Sequence, residues 1–189
     1  MIKYLLLTLG ITCFSLNAQA ELADKDKPLQ LEANQGSYDD INQVYKLNGR
    51  VVLTKGSMII KTETAFIKNT PSGYQHATAT NGPNGLAYVR QKREGIDEFF
   101  EGYGDKIEYN SQTNVITLIG RAKILRLDKQ NKVIDEIQAP KMIYNGNNET
   151  YNAIGSDSSS SRVRAVISPK NNNSNNNGRV NTILPPPTK

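Results

Sequence analysis

One strand–turn–strand pattern occurs twice in this chain, and it restricts the possible fold more than any other feature. The first copy, from Tyr38 to Arg50, reads Tyr-Asp-x-x-Asn-x-Val-Tyr-x-Leu-x-Gly-Arg. The second, 71 residues later from Tyr109 to Arg121, reads Tyr-Asn-x-x-Thr-x-Val-Ile-x-Leu-x-Gly-Arg, and a weaker third copy begins at Tyr144. A chain that repeats one β unit is built by stacking that unit, and the stacking can continue between molecules.

Apolar and polar residues alternate with a period of two through both copies, which is typical of β-strands. The apolar side of the pattern consists of Tyr45, Leu47, Gly49, Val51 and Leu53 in the first copy and of Ile116, Leu118, Gly120, Ala122 and Ile124 in the second. The same alternation occurs in 29–33 and in 162–167. One apolar and one polar face indicate an antiparallel sheet.

The residues between these runs are those of hairpin turns. Asp- and Asn-rich tetrads at 39–42, 110–113 and 145–148 each follow a tyrosine, and Asx-turns are common at such residues. We expect the recurrent Gly49, Gly120 and Gly155 to lie inside strands and to bend them. The alternation does not settle which residues of 58–67 and 71–104 face the core.

The first twenty residues are typical of a cleaved export signal. Lys3 is followed by an apolar stretch, and Ala18-Gln19-Ala20 precedes the predicted cleavage before Glu21. An uncleaved N-terminal anchor is the alternative. Cys13, the only cysteine, lies in this segment, so the exported chain has no disulfide. We predict a signal peptide over 1–20 and export to the periplasm, one domain over 21–169 that is folded from about residue 24, and a disordered Asn- and Pro-rich tail over 170–189.

The sequence contains few of the residues and motifs that catalysis requires. His76 is the only histidine, so no zinc site can be assembled from His and Cys, and no nucleophile motif surrounds it. The acidic pairs at 39–40 and 97–98 fit solvated turns better than glycosidase carboxylates. We therefore predict no enzymatic activity, no catalytic residue, no metal and no cofactor.

The charge of the chain is mildly basic. Without Lys3, the predicted exported chain has 22 Lys and Arg against 18 Asp and Glu, a net charge of +4. This balance suits anionic partners such as lipid phosphates, and no basic helix or aromatic–basic motif indicates nucleic acid. Arg90, Lys92 and Arg93 form a basic cluster, to which Lys68 could add. It is either a solvated hairpin or a phosphate contact.

The order and spacing of these segments identify a family. The stretch Pro28-Leu29-Gln30-Leu31-Glu32-Ala33, the first repeat extended to Gly56, and the second repeat resemble the OstA-like domain family over about residues 24–169. The Asn-rich tail and a longer hairpin at 128–132 depart from the family pattern. The resemblance implies an all-β, single-domain twisted β-jelly roll of two facing antiparallel sheets, open at both ends.

The resemblance also implies a function. Proteins of this kind join end to end in the periplasm and bridge the inner-membrane and outer-membrane components of the lipopolysaccharide transport machinery. The acyl chains of lipid A bind in an apolar groove, and ATP is hydrolysed by another component. On this chain the groove is predicted to be lined by Leu29, Leu31, Tyr45, Leu47, Val51, Leu53, Tyr88, Tyr109, Ile116 and Leu118. The edges that join molecules are predicted to carry Leu29, Leu31, Val163, Ala165 and Ile167. Each groove residue has plain core packing as its alternative.

Two other functions remain open from the sequence alone. A periplasmic chaperone or adaptor could pair a sheet edge with client strands and bind no lipid. A glycan-processing enzyme is the weaker alternative. Lipid binding and self-association separate the carrier from both.

Overall fold

The protein consists almost entirely of antiparallel strands. The computed structural model describes residues 24–93, 95–156 and 161–169. Its strands are β1 (Gln30–Glu32), β2 (Gln35–Asp39), β3 (Val44–Lys55), β4 (Met58–Asn69), β5 (Gln75–Thr80), β6 (Ala87–Lys92), β7 (Phe99–Gly104), β8 (Lys106–Asn110), β9 (Val115–Leu127), β10 (Val133–Asn145), β11 (Thr150–Ile154) and β12 (Arg164–Ile167). Within these ranges, no helix has the length and apolar character needed to cross a membrane. The predicted signal peptide and tail lie outside the described residues.

The strands form two layers because the four longest strands, β3, β4, β9 and β10, each pass from one layer to the other. The first sheet has the order β2–β3–β4–β5–β8–β9–β10–β11. The second has the order β1–β3–β4–β6–β7–β9–β10–β12, and uses the other half of each long strand. All pairs are antiparallel, as the alternation predicted.

Each passage between the sheets coincides with a bulge. In β3, Gly49 and Arg50 lie opposite the single residue Glu63 of β4, and both have positive φ, +80° and +48°. In β9, Gly120 and Arg121 repeat this conformation, with φ of +70° and +42°, opposite a single residue of β10. Because two residues oppose one, the strand bends there. The prediction that these two glycines bend their strands is confirmed.

The residue opposite the second bulge is Pro140, which has no N–H to give to a ladder and is tolerated at such a site. The third predicted bend is wrong: Gly155 follows the end of β11 at Ile154 and does not lie inside a strand. The third copy of the repeat therefore does not continue from one sheet into the other as a single bent strand.

The bends lie along one side of the molecule, which we call the spine: Asn34, Gly49–Arg50, Glu63, Asp105, Gly120–Arg121 and Pro140. The hairpin turns lie at the opposite ends of the strands, which we call the slit side. The first-sheet turns there are at 40–43, 70–74, 111–114 and 146–149, and the second-sheet turns are at 56–57, 95–98 and 128–132. The ion pair between Arg93 and Glu149 joins the two sets of turns. The strands hold the sheets together at the spine, whereas only side chains can do so at the slit.

The core lies between the two sheets. Its largest fully buried apolar side chains are Phe100, Leu53, Met58, Ile60, Ile67, Ile107, Ile116, Leu118, Met142, Val51 and Val89. A β-carbon on Gly102 of β7 would come within 3.0 Å of Leu118 in the opposite sheet, so the two inner faces are in close contact. The structure also settles the phase that the sequence left open, since Met58, Ile60 and Ile67 all face inward.

Candidate functional site

The predicted groove residues fall into three groups. Six of them are buried between the sheets, each at most 8% exposed: Leu47, Val51, Leu53, Tyr109, Ile116 and Leu118. Leu29, Leu31 and Tyr45 are partly exposed and pack against that core beside the first edge strands. The structure therefore brings nine of the ten residues to one continuous apolar interior. Which of them contact a lipid stays a prediction.

Tyr88 is the tenth residue, and the structure separates it from the others. Its neighbours Ala87 and Val89 are fully buried, so Tyr88 lies on the outer face of β6. Its hydroxyl donates to Glu101 at 2.8 Å, and its ring lies 5.2 Å from that of Tyr103. Burial against this cluster, together with the bond to Glu101, raises the pKa of Tyr88.

The predicted basic cluster is engaged by protein carboxylates. Arg90 donates to Glu101 at 2.5 Å and lies 4.1 Å above the ring of Phe99, and Lys92 lies 3.4 Å from Asp97. Lys68 is not part of the cluster. It lies in the first-sheet half of β4, where it pairs with Val44 and His76, whereas Arg90 pairs with Ile59 in the second-sheet half.

Arg93 links the two sheets across the slit. One guanidinium nitrogen contacts Glu98 at 2.6 Å, in the same second-sheet turn, and the other contacts Glu149 at 2.7 Å, in a first-sheet turn. The side chains of Arg93 and Glu149 are only 13% and 20% exposed. Arg126 extends the cluster by contacting Asp135 at 2.7 Å. These ion pairs therefore close the C-terminal half of the slit.

An aromatic stack lies just inside these ion pairs. Phe100 of the second sheet stacks on Tyr144 of the first sheet at 4.5 Å between ring centroids, and Tyr144 stacks on Tyr151 at 5.0 Å. Burial raises the pKa of Tyr151 to about 12. Flat rings of this kind present a large apolar surface. The sequence pattern missed this stack, although Tyr144 opens the third repeat.

The segment before β1 lies beside the N-terminal half of the slit, where Asp24 lines a small cleft with Tyr109 and Asn114 of the first sheet. Lys55, at the end of β3, is 6% exposed and donates from Nζ to the carbonyl oxygen of Lys27. Asp24 accepts from the Ser57 amide at 2.8 Å and from the Ser57 hydroxyl at 2.5 Å. Burial lowers the pKa of Lys55, and the nearby Asp26 and Asp24 oppose that shift.

Sequence reasoning missed Lys55 as a site residue, although a signal was available. It follows Leu53 in the same phase, so it is a charged residue on the apolar face. A lysine is rarely this buried unless it is paired.

Among the described strands, each sheet ends on strands that have one neighbour. There β1 and β2 pair only with β3, and β11 and β12 pair only with β10. The predicted edge residues therefore lie at open edges, with Leu29 and Leu31 at one end and Val163, Ala165 and Ile167 at the other. Val163 is 44% exposed and Ile167 is 77% exposed.

The interior is lined by apolar and aromatic side chains. Among the residues described by the structure, no group of three or more His, Cys, Asp or Glu side chains could hold a metal ion. His76 lies at an exposed position of β5, where it pairs with Asn110 of β8.

Comparisons with known proteins agree with the fold. The family of LptA and the LptD N-terminal domain, described as lipopolysaccharide transport proteins, matches residues 30–150. The lipopolysaccharide export system protein LptH of Pseudomonas aeruginosa is 28% identical over 173 residues, covering 87% of this chain and 93% of that protein. The lipopolysaccharide export system protein LptA of Escherichia coli K12 is 25% identical, covering 73% and 75%.

A solved structure shows the same architecture. The crystal structure of LptH, described as the LptA-homologous periplasmic component of the lipopolysaccharide transport device of P. aeruginosa, superposes with a TM-score of 0.68 at 25% identity. It covers 78% of this chain and 99% of that chain. The prediction of a twisted β-jelly roll is therefore confirmed.

Proposed function

Because this chain belongs to the family of LptA and the LptD N-terminal domain, we propose that it is a non-enzymatic periplasmic carrier of lipopolysaccharide. It binds the acyl chains of lipid A between its two sheets and joins end to end with other copies. The resulting bridge hands the lipid from inner-membrane to outer-membrane components of the transport machinery.

The observation that carries the proposal is an apolar interior that runs the length of two sheets and ends at unpaired edges. Lipid A has several acyl chains, which cannot cross water unaided. Each buried methylene contributes about 0.8 kcal/mol, so one twelve-carbon chain gains up to about 9 kcal/mol. The inner faces can provide that environment if the sheets separate at the slit, where side-chain contacts alone hold them.

Self-association is supported by the two ends of the molecule. Unpaired strand edges can pair with another chain, and head-to-tail pairing that does not close produces filaments. The N-terminal end carries the exposed acids Glu32 and Asp40, and the C-terminal end carries the exposed bases Arg162 and Arg164. Opposite charges at opposite ends favour head-to-tail contact over contact between like ends.

The same open edges support the alternative of a chaperone or adaptor, which would pair with client strands and hold no lipid. A direct test begins with the mature protein purified from a Gram-negative host. Mass spectrometry of the extract measures lipid A per protein, and light scattering over a dilution series measures association. We expect bound lipid A and a mass that rises with concentration. A protein that takes up no lipid even when it is supplied, and stays monomeric, would rule out the carrier.

The groove itself is best tested at Leu31, because Leu118 is fully buried and an aspartate there would unfold the domain. Leu31→Asp places a charge beside Leu53 at the partly exposed end of the interior. It should lower the affinity for lipid A about tenfold, since the contact of a partly buried leucine is worth about 1.5 kcal/mol. Gln30→Asp, one residue away on the opposite face, is the matched control. Equal lipid content in the two variants would place the groove elsewhere.

A further inference from the structure

We propose that the turn between β3 and β4, Lys55–Ser57, is an anion site for a phosphate group, and that Asp24 occupies it when no ligand is present. The phosphate is that of a phosphorylated lipid headgroup or free phosphate. The headgroup version rests on the proposed function, whereas the site itself does not.

The carboxylate of Asp24 shows how an anion sits in this turn. One of its oxygens, Oδ2, receives hydrogen bonds from both the amide and the hydroxyl of Ser57. A β-carbon on Gly56 would lie 2.0 Å from the other oxygen, and Gly56 has a φ of +56°. Only glycine therefore allows both the turn and the close approach of the anion. The amide and hydroxyl of Ser57 are thus hydrogen-bond donors that already bind an anionic group, the Asp24 carboxylate.

The neighbouring Lys55 gives the turn a buried positive charge. Lys55 is only 6% exposed, yet among the described residues the hydrogen bond of Nζ goes to a neutral carbonyl, that of Lys27. An ammonium group has three donors, of which the bond to Lys27 uses one. A buried charge without a hydrogen-bonded counter-ion is costly, and an anion that reached it would remove that cost.

The position of the turn fits a lipid phosphate. Asp24, Lys55 and Met58 share a small cleft with Tyr109 and Asn114 of the opposite sheet, so the site lies at the mouth of the slit. Met58 and Tyr109 belong to the apolar interior just below it. A lipid whose acyl chains lie between the sheets would bring its phosphate to this mouth while its sugars stay in water.

Asp24 is held there as part of the same chain and therefore competes with any ligand. It offers a single negative charge, whereas a phosphate monoester carries more charge and more acceptor oxygens. A phosphate that displaced it would also release the segment that lies beside the N-terminal half of the slit. Anion binding and opening of the slit would then be coupled.

Three variants test the site. Asp24→Ala removes the competitor and should tighten binding of phosphorylated lipid A about fivefold. Lys55→Gln removes the ammonium and should weaken it about tenfold. Asp26→Ala removes a negative charge that also acts on Lys55 but does not touch Ser57, so it measures the charge effect alone and should tighten binding by at most about twofold.

The readouts are lipid affinity and the NMR shift of the Ser57 amide, measured with lipid A, with lipid A stripped of its phosphates, and with inorganic phosphate alone. We expect the amide to respond to phosphorylated lipid A and to ignore the stripped lipid. A response to inorganic phosphate at lower concentration than to lipid would assign the site to free phosphate.

The outcomes separate this proposal from the proposed function. If the wild type binds lipid A with and without its phosphates equally well and the NMR shift of the Ser57 amide does not change, the anion site is refuted. The proposed carrier function is unaffected by that result. If no variant binds lipid, the carrier fails, and inorganic phosphate added to Asp24→Ala decides the site. An amide shift there supports the site, and its absence refutes it. Asp24→Ala changes only the short N-terminal segment, so it does not threaten the fold.

Discussion

The ion pair between Arg93 and Glu149 should hold the two sheets together, and a double-mutant cycle can measure it. At the slit this pair connects turns 56 residues apart in sequence. Two unit charges about 4 Å apart attract by about 4 kcal/mol at an effective dielectric constant of 20. Desolvation and the 13% and 20% exposure of the two side chains reduce this to a coupling of about 1–2 kcal/mol.

The assay is urea unfolding of the wild type, Arg93→Ala, Glu149→Ala and the double variant. The coupling is the part of the stability loss that the two single changes share. The charge exchange Arg93→Glu with Glu149→Arg should recover little of the loss, because a glutamate at position 93 would lie beside Glu98. Uptake of lipid A should become faster in both single variants, because the sheets separate more easily.

Lys92 and Asp97 provide the matched control, since they form an ion pair in the same turn without crossing the slit. Their side chains are 35% and 74% exposed, so their coupling should be below about 0.5 kcal/mol. If the Arg93–Glu149 coupling is as small as that of the control, the pair does not close the slit. If the coupling is large but uptake rates are unchanged, lipid enters by another route.

Three further results are expected. Gly120→Ala should lower the free energy of unfolding, measured in urea, by more than Gly73→Ala does. Both glycines have positive φ, but a β-carbon at 120 would meet a carboxylate oxygen at 2.3 Å, whereas one at 73 would meet nothing within 4 Å. Equal losses would refute the clash. Burial, with a smaller contribution from a nearby carboxylate, raises the pKa of Tyr109 to about 12. As the pH rises above about 10, this tyrosine therefore loses its proton in the unfolded chain before it does so in the folded protein, and the free energy of unfolding falls. Tyr109→Phe should lose about 1 kcal/mol less than the wild type between pH 9 and 11, and identical pH profiles would contradict this. Ile167→Lys, at the β12 edge, should reduce self-association in light scattering, whereas Tyr74→Lys, in the exposed turn between β4 and β5, should not; equal effects would point to a general charge effect.

The parts of the structure that the sequence predicted are those set by local backbone and side-chain periodicity. The alternation places Leu47, Val51 and Leu53 on one face whatever lies opposite them, because successive side chains of a strand point to opposite sides. The Gly-Arg pairs at 49–50 and 120–121 bend their strands, because glycine takes the positive φ of the bulge without strain. The same reasoning failed at Gly155, where the flanking strand ends and no bend is formed within it.

The charged residues were less predictable, because their partners are distant in the chain. The cluster around Arg93 had the composition of a phosphate contact, but in the fold it meets Glu98 and Glu149 and closes the slit. The position of Lys55 in its strand placed it on the apolar face, where a lysine is unexpected. Only the fold shows that Asp24 and Lys27 cover it.

The sequence by itself determined the strands, their inward faces and the two glycine bends, since each depends on residues within a few positions of one another. Only the tertiary structure decided which charges meet across the slit. It also decided that Tyr88, alone among the ten predicted groove residues, lies on the outer face of its sheet. A strand's two faces follow from its own residues, whereas an ion pair such as Arg93–Glu149 depends on how two sheets fold back at the spine.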